Sequence, residues 1–319
     1  MANVGSGVAT QAPWTRLPEA LLDVYSLDIL HEAQGIMRFE DFAVRKQDLM
    51  ASAGENLKFT IYDDLATQGG TIDEHTSLSA QAMTASQKTI QVTEYGNAVN
   101  VSEKLLRLSY DDLMAETATL LGRDYAVARD VALRDALSAD LTHEIFYDAS
   151  AMTGANLLSV AEKFDTEIVR EGVKKLQIEN APKFNGDFYV CFLHPHQATE
   201  LRRDGDWQSA NNYANTRNLF SGELGRWEDV VFISTTHAKN GAYAGVGLDA
   251  ALTGSGNGGA DVYEALLFAD QCLYVADALP VELRDNGVED FGRTRGLAWY
   301  SIFGTKALMG NYGVKLYTL

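Results

Sequence analysis

The sequence predicts an α+β protein built in the order N-terminal arm, extended β-hairpin loop, long helix, compact α/β lobe and closing strands. Three observations lead to this prediction. Two segments with the two-residue alternation of strands flank a long polar stretch. A helical pattern then continues without proline for about 30 residues, enough for a rod of roughly 45 Å. Beyond it, two continuous apolar runs are typical of buried strands.

The arm is predicted at residues 1–56. A helical pattern from Glu19 to Leu30 mixes apolar and charged residues, and RFEDFAVRKQDLMASAG follows at 38–54. This segment has too few apolar residues for a core of its own. We therefore expect it to pack on another part of the assembly.

The extended loop is predicted at residues 57–100. LKFTIY at 57–62 and TIQVTEYGNAVNVS at 89–102 both alternate as half-buried strands do. Loops longer than about 12–15 residues are usually functional or disordered, so the polar stretch between the strands is predicted to contact another subunit. A mobile surface loop is the alternative. The residues assigned to the contact are Tyr62, Asp63, Gly69, Gly70 and Thr89.

A long helix follows, for which Ser109 and Asp112 resemble a capping box. Apolar residues recur near helical spacing from Leu113 to Leu137. A rod of this length needs a wide surface to lie on, so it suits the spine of a flat subunit.

The α/β lobe is predicted at residues 157–285. Ser159 and Glu162 form a capping box in front of its first helix. DFYVCFLH at 187–194 is predicted to be a central buried strand, and DVVFIST at 229–235 to be a second one.

The last part of the chain is predicted to hold two strands, LAWYSIFGTKAL and YGVKLYTL. Met309-Gly310-Asn311 would join them as a hairpin turn. A terminus that lies in a sheet is usually ordered.

Charge and composition exclude several classes of protein. The net charge of −18 argues against non-specific binding to nucleic acid, which needs Lys and Arg to neutralise phosphates. It is compatible with a protein that encloses DNA without gripping it. The sequence has no apolar run of about 18 residues, so no membrane span is predicted, and its N-terminus lacks the pattern of a signal peptide. The two cysteines, Cys191 and Cys272, are predicted to be buried free thiols.

Each candidate catalytic or ligand site in the sequence has a simpler structural interpretation. GSGNGG at 254–259 has dinucleotide-motif spacing but lacks the strand and helix that such a site needs. His194-Pro195-His196 is predicted to be a strand-to-helix turn in which one imidazole caps backbone groups, rather than a metal site. The acid pairs Asp63-Asp64 and Asp111-Asp112 are attributed to helix starts. No enzyme activity, catalytic residue, cofactor or metal is predicted.

The order of elements resembles that of tailed-bacteriophage major capsid proteins with the Hong-Kong-ninety-seven-type fold. Residues 38–65, VTEYGNAVNVSEKL at 92–105 and GLAWYSIFGTKAL at 296–308 resemble one family of phage coat proteins. The residues that carry the resemblance best are Phe39, Gly54, Tyr95, Gly96 and Val99.

This resemblance implies four domains: an N-terminal arm at 1–56, an extended loop at 57–100, a peripheral domain at 101–156 and 286–319, and an axial domain at 157–285. The implied function is self-assembly into pentamers and hexamers that form an icosahedral head enclosing double-stranded DNA. The extended loop would lie on a neighbour's peripheral domain, and the axial domain would meet its copies around the symmetry axes.

The implied partners are copies of the chain itself, with separate scaffolding, portal and decoration proteins as candidates. The implied location is the virion, after assembly in the host cytoplasm. Some family members carry a cleaved N-terminal scaffolding segment, which this sequence does not show. Others cross-link through a lysine in the extended loop. Lys58 and Lys88 lie at the roots of this loop, and no partner Asn or catalytic Glu is matched, so cross-linking is not predicted.

Two other functions remain open from the sequence. The α/β lobe and its GSGNGG segment could belong to a soluble enzyme or ligand-binding protein, which particle size would distinguish from a shell subunit. An encapsulin-type cellular shell protein would have the same fold, and the neighbouring genes would distinguish it from a viral one.

Overall fold

A computed structural model describes residues 37–46, 56–62, 71, 80–109, 113–146, 163–207, 223–239 and 263–318. Several sequence predictions lie outside these residues. They are the arm before residue 37, Gly54, the predicted contact residues Asp63, Gly69 and Gly70, the acid pairs Asp63-Asp64 and Asp111-Asp112, the capping box Ser159–Glu162, and GSGNGG at 254–259.

The helices of the described residues are α1 (Glu103–Leu108), α2 (Leu113–Asp140), α3 (Thr166–Ile178) and α4 (Pro195–Leu201). The strands are β1 (Val44–Lys46), β2 (Asn56–Tyr62), β3 (Ala85–Gln91), β4 (Thr93–Ser102), β5 (His143–Phe146), β6 (Tyr189–Leu193), β7 (Glu223–Trp227), β8 (Val230–Ser234), β9 (Tyr263–Phe268), β10 (Leu273–Glu289), β11 (Thr294–Ala307) and β12 (Gly313–Thr318).

The chain divides into two compact units. Unit 1 comprises the described residues within 1–41, 94–132 and 279–303, and unit 2 comprises those within 42–93, 133–278 and 304–319. The core of unit 1 is formed by Met37, Leu121, Tyr125, Ala126, Val281, Leu283, Leu297 and Trp299.

The predicted spine is confirmed as helix α2, which has 28 residues and is about 42 Å long. Its buried positions Leu121, Tyr125, Leu133 and Leu137 recur at helical spacing. The helix is preceded by the separate short helix α1, whose N-cap Ser102 accepts the Leu105 N–H (3.3 Å). Ser109, predicted in the cap of the spine, is instead the C-cap residue of α1.

Unit 2 contains a six-stranded sheet with the order β5-β12-β9-β6-β8-β7. All five residues of β6 are buried, as its apolar run predicts, and β8 lies parallel to it. Helix α3 packs on β12 and β5.

The predicted start of α3 at Ser159–Glu162 is wrong. Residues 163–165 are not helical, and the helix begins at Thr166. The Asp165 carboxylate provides the cap, because it accepts the N–H groups of Glu167 (3.1 Å) and Ile168 (3.2 Å).

The predicted C-terminal hairpin is also wrong. Strand β11 belongs to a four-stranded sheet with the order β1-β10-β11-β4, whereas β12 lies between β5 and β9 in the six-stranded sheet. All six residues of β12 are buried, which suits an interior strand. The segment 286–319 is therefore divided between two sheets.

No helix among the described residues is long and apolar enough to cross a membrane.

Candidate assembly surface

The antiparallel pairing of β2 with β3 confirms the predicted hairpin at its first strand, but most of the predicted return strand, 89–102, is the separate strand β4 of the four-stranded sheet. The pairing extends from Asn56 opposite Gln91 to Tyr62 opposite Ala85. The two strands form a sheet of their own. A two-stranded ribbon is marginally stable alone in water, so contacts at its root must support it.

Burial falls from the root of this hairpin towards its tip. Near the root, Ile90 and Phe59 are buried, and the Phe59 ring packs edge-on to Tyr274 at 5.3 Å. At the described end farthest from the root, Tyr62 is 64% exposed and Met83 is 69% exposed. The described end of the ribbon therefore presents large apolar side chains to solvent.

Two lysines hold the root of the hairpin. Lys306 Nζ donates to the Thr89 carbonyl oxygen (3.3 Å), and Lys88 Nζ donates to the carbonyl oxygen of Leu308. A Cβ at Gly304 would clash with the carbonyl oxygen of Gln91, so only glycine allows this close approach.

The predicted contact residues thus occupy different parts of the hairpin. Tyr62 ends β2 and is exposed, as a contact residue must be. Thr89 lies at the half-buried root, where its carbonyl accepts from Lys306.

Unit 1 carries a second set of exposed apolar side chains. Leu120 and Val127 lie seven residues apart on α2, and therefore on one face of it. The other large apolar residues exposed in the described part of unit 1 are Leu105, Leu108, Val288 and Phe291.

Residues 37–41 are anchored to α2 within unit 1. The N–H groups of Arg38 and Phe39 donate to Asp130 Oδ1 (3.0 Å each). Arg129 Nη2 lies 2.7 Å from Glu40 Oε1 in a pair whose side chains are each 4% exposed. Arg129 also donates to the Tyr125 hydroxyl (3.2 Å). The start of RFEDF is therefore fixed by charge as well as by the burial of Phe39.

Other residues that carry the family resemblance also have packing roles. The Tyr95 ring stacks on Phe303 at 4.2 Å. A Cβ at Gly96 would lie 2.9 Å from the Trp299 carbonyl oxygen, so the glycine permits close contact between backbones.

The histidine pair forms a helix cap, as the sequence predicts. His194 Nδ1 accepts the His196 N–H (3.2 Å), and Gln197 Oε1 accepts the His194 N–H (3.2 Å), which completes a capping box.

Among the described residues, no group of His, Cys, Asp or Glu could hold a metal ion. Cys191 and Cys272 are buried and free, as predicted, and burial raises the pKa of Cys272 to about 12.

Acidification is expected to weaken the cap that His194 forms on helix α4. Partial burial, and then the charge of His196, lower the pKa of His194 below its usual 6.5. The unfolded chain therefore takes up the proton first, and stability is lost as the pH falls from 6.5 towards the lower folded-state pKa. In thermal unfolding at about pH 7.5 and about pH 5, the variant H194N, which caps without titrating, should lose on the order of 2 °C less than the wild type. Equal losses would contradict this role.

Sequence reasoning missed the buried Glu40–Arg129 pair and the exposed Phe291. The second had a local signal, because a lone aromatic residue stands between Asp290 and Gly292 in a segment of turn-forming residues. The first had none, because the two partners are 89 positions apart.

Comparison with known proteins places this geometry in a family. The sequence model described as "phage capsid protein" matches residues 38–139 and 148–313. A search of curated protein sequences finds no match.

Solved structures share the fold at low sequence identity. The capsid of Ralstonia phage GP4 is similar with a TM-score of 0.68 and 17% identity, over 100% of this chain and 98% of that chain. The cyanophage Pam1 capsid gives 0.66 and 17%, over 100% and 99%. A virus-like particle from Pyrococcus furiosus gives 0.54 and 11%, over 93% and 99%. The predicted α+β capsid fold is thereby confirmed.

Proposed function

Since this chain belongs to the phage capsid protein family, we propose that it is the major capsid protein whose pentamers and hexamers build an icosahedral phage head. The observation that carries this proposal is the family match across both long segments, 38–139 and 148–313. Self-assembly is the activity, and no catalytic step or cofactor is part of it.

The extended loop, residues 57–100, is proposed to lie on the peripheral domain of a neighbouring copy. Two features support this. The hairpin exposes Tyr62 and Met83 at the described end farthest from its root, and unit 1 exposes Leu120 and Val127 on α2. Burying one such side chain fully contributes about 1.5–3 kcal/mol, and many identical contacts add up across a shell.

The remaining domains are proposed to follow the family arrangement. Residues 1–56 form the arm, 101–156 and 286–319 the peripheral domain, and 157–285 the axial domain that meets its copies at the pentamer and hexamer axes. The net charge of −18 supports the proposal that the shell wall encloses double-stranded DNA without sequence-specific binding.

The partners proposed are further copies of the chain, with separate scaffolding, portal and decoration proteins. Assembly is proposed to occur in the host cytoplasm, and the virion is the final location. An encapsulin-type cellular shell is the weaker alternative. The likeness to the Pyrococcus furiosus particle extends to the fold alone at 11% identity.

The test is to express the full chain and examine it by electron microscopy and sedimentation, alone and with the other head proteins encoded beside its gene. Closed particles of uniform size are expected. Only monomers and dimers under all these conditions would overturn the proposal. DNA inside particles from infected cells would exclude the cellular shell, whereas a protein cargo would favour it.

A further inference from the structure

The turn between β10 and β11 holds an aromatic side chain entirely in solvent. The turn comprises Asp290–Gly292, whose residues all have positive φ angles, of 49°, 56° and 93° in chain order. Phe291 is 105% exposed, more than any other large apolar residue described in the chain.

This arrangement is unfavourable for a free subunit on two grounds. A bulky residue in the left-handed region costs of order 1–3 kcal/mol, and an exposed phenyl ring contributes nothing to the core. Asn or Gly would fit the same backbone better. Strain together with full exposure points to a role outside the folding of one chain.

The turn is nevertheless well held. The Arg293 N–H donates to the carbonyl oxygens of Glu289 and Asp290 (3.1 Å each). The Glu103 N–H donates to the Arg293 carbonyl oxygen (2.8 Å), which ties the start of α1 to the turn. A fixed aromatic knob of this kind loses little conformational entropy when it binds.

Helix α1, which this hydrogen bond links to the turn, carries two exposed leucines. Leu105 and Leu108 are three positions apart, so they share a face, and both are exposed. Val288 is also exposed, on the strand that leads into the turn. We call Leu105, Leu108, Val288 and Phe291 the turn–helix patch.

We propose that the turn–helix patch binds a second copy of this chain, with Phe291 of one copy packed on Leu105 and Leu108 of the next. The inference rests on the proposed shell function and adds a specific contact to it. Large exposed apolar patches mark sites of protein association, and aromatic residues dominate such contacts.

The charge around the patch supports a second copy as the occupant. Two chains of −18 repel each other over most of their surfaces. At the patch, α1 carries one acid and two bases, and residues 288–293 carry two acids and one base. The patch is therefore electrically balanced, so the charged residues around it add no net repulsion between copies.

The first experiment is the variant F291N in the full chain. Asn suits the left-handed backbone, so the isolated subunit should unfold at the same temperature as the wild type or at a higher one. Its critical concentration for assembly should rise by about tenfold or more. A purely structural Phe291 would instead give a lower unfolding temperature.

The second experiment tests the contact whether or not closed shells form. Tagged L108C chains are mixed with F291C chains at high concentration and treated with a short bismaleimide. Cys191 and Cys272 are buried, and burial raises both their pKa values, so they stay unreactive. Covalent heterodimers are expected. The control replaces F291C with I178C, since Ile178 is also an exposed large apolar residue and lies in unit 2.

These outcomes separate the contact from the shell function. Heterodimer yields no higher than the I178C control, or unchanged assembly of F291N, would overturn the contact while leaving the capsid role intact. A wild-type chain that never forms particles, yet gives heterodimers specific to F291C, would overturn the shell and keep the contact.

Discussion

Replacing residues 63–84 with Asn-Gly is expected to give a folded, soluble subunit that forms no shells. Tyr62 and Ala85 are the last paired residues of the hairpin, so a two-residue turn can join them directly, and Asn-Gly is the preferred sequence for it. The supports of the root, Ile90 and Phe59, remain in place. The unfolding temperature should therefore change by only about 2–4 °C, while assembly is abolished.

Circular dichroism and thermal unfolding would report the fold, and sedimentation with electron microscopy would report assembly. The double variant Y62S/M83S serves as a milder companion, because it keeps the loop length and removes only the exposed apolar groups; it should weaken assembly without abolishing folding. If the shortened chain were unfolded, the loop would be part of the core of the subunit. If the shortened chain still formed normal shells, the loop would not be one of the assembly contacts.

The hairpin and the spine were predictable because their signals are local. Two-residue alternation in 57–62 depends only on adjacent positions, and so does the apolar repeat from Leu113 to Leu137. The all-apolar run that became β6 is similarly explicit, because a strand buried on both faces needs no polar alternation.

The failures concern long-range choices among similar local signals. YGVKLYTL identifies a strand but not its neighbours, and β12 pairs with β5 and β9 rather than with β11. Ser159 and Asp165 are both acceptable N-caps, and the helix starts after Asp165, where the carboxylate accepts two N–H groups. Local chemistry leaves such alternatives nearly equal in energy, and packing decides between them.

The proposed assembly surface was predictable only in part. A long polar stretch between two strands indicated a segment with a partner, and Tyr62 at its edge is exposed. The exposed apolar groups on α1 and α2 had no such signal, because Leu105 and Leu120 fit the same helical periodicity as core residues. Nothing in a one-dimensional pattern distinguishes an exposed leucine from a buried one on an amphipathic helix.

Breaking the buried pair between Glu40 and Arg129 is expected to have the largest effect on the stability of the subunit. Each side chain is 4% exposed, so removing one partner leaves the other charge buried in a medium of low dielectric constant. The variant R129M should lower the free energy of unfolding by about 3–5 kcal/mol. It would also remove the cation that lies 4.9 Å from the centre of the Phe303 ring.

Removing both charges of the pair should restore part of the stability that R129M loses. In E40L/R129M both charges are gone and apolar groups of similar volume fill the space, so the double variant should be more stable than R129M alone. The exposed pair of Glu103 and Arg107, with side chains 45% and 78% exposed, supplies the control. R107M should cost less than about 1 kcal/mol, since a surface ion pair contributes little.

Urea unfolding of the unassembled subunit would measure all four proteins, and proteolysis would show whether residues 37–41 detach. If the pair anchors this segment, R129M should expose a cleavage site near Arg38 that E40L/R129M protects again. A double variant less stable than R129M would mean that the two residues act through separate contacts. In that case the N–H groups donated by Arg38 and Phe39 to Asp130 would be the main anchor of the arm.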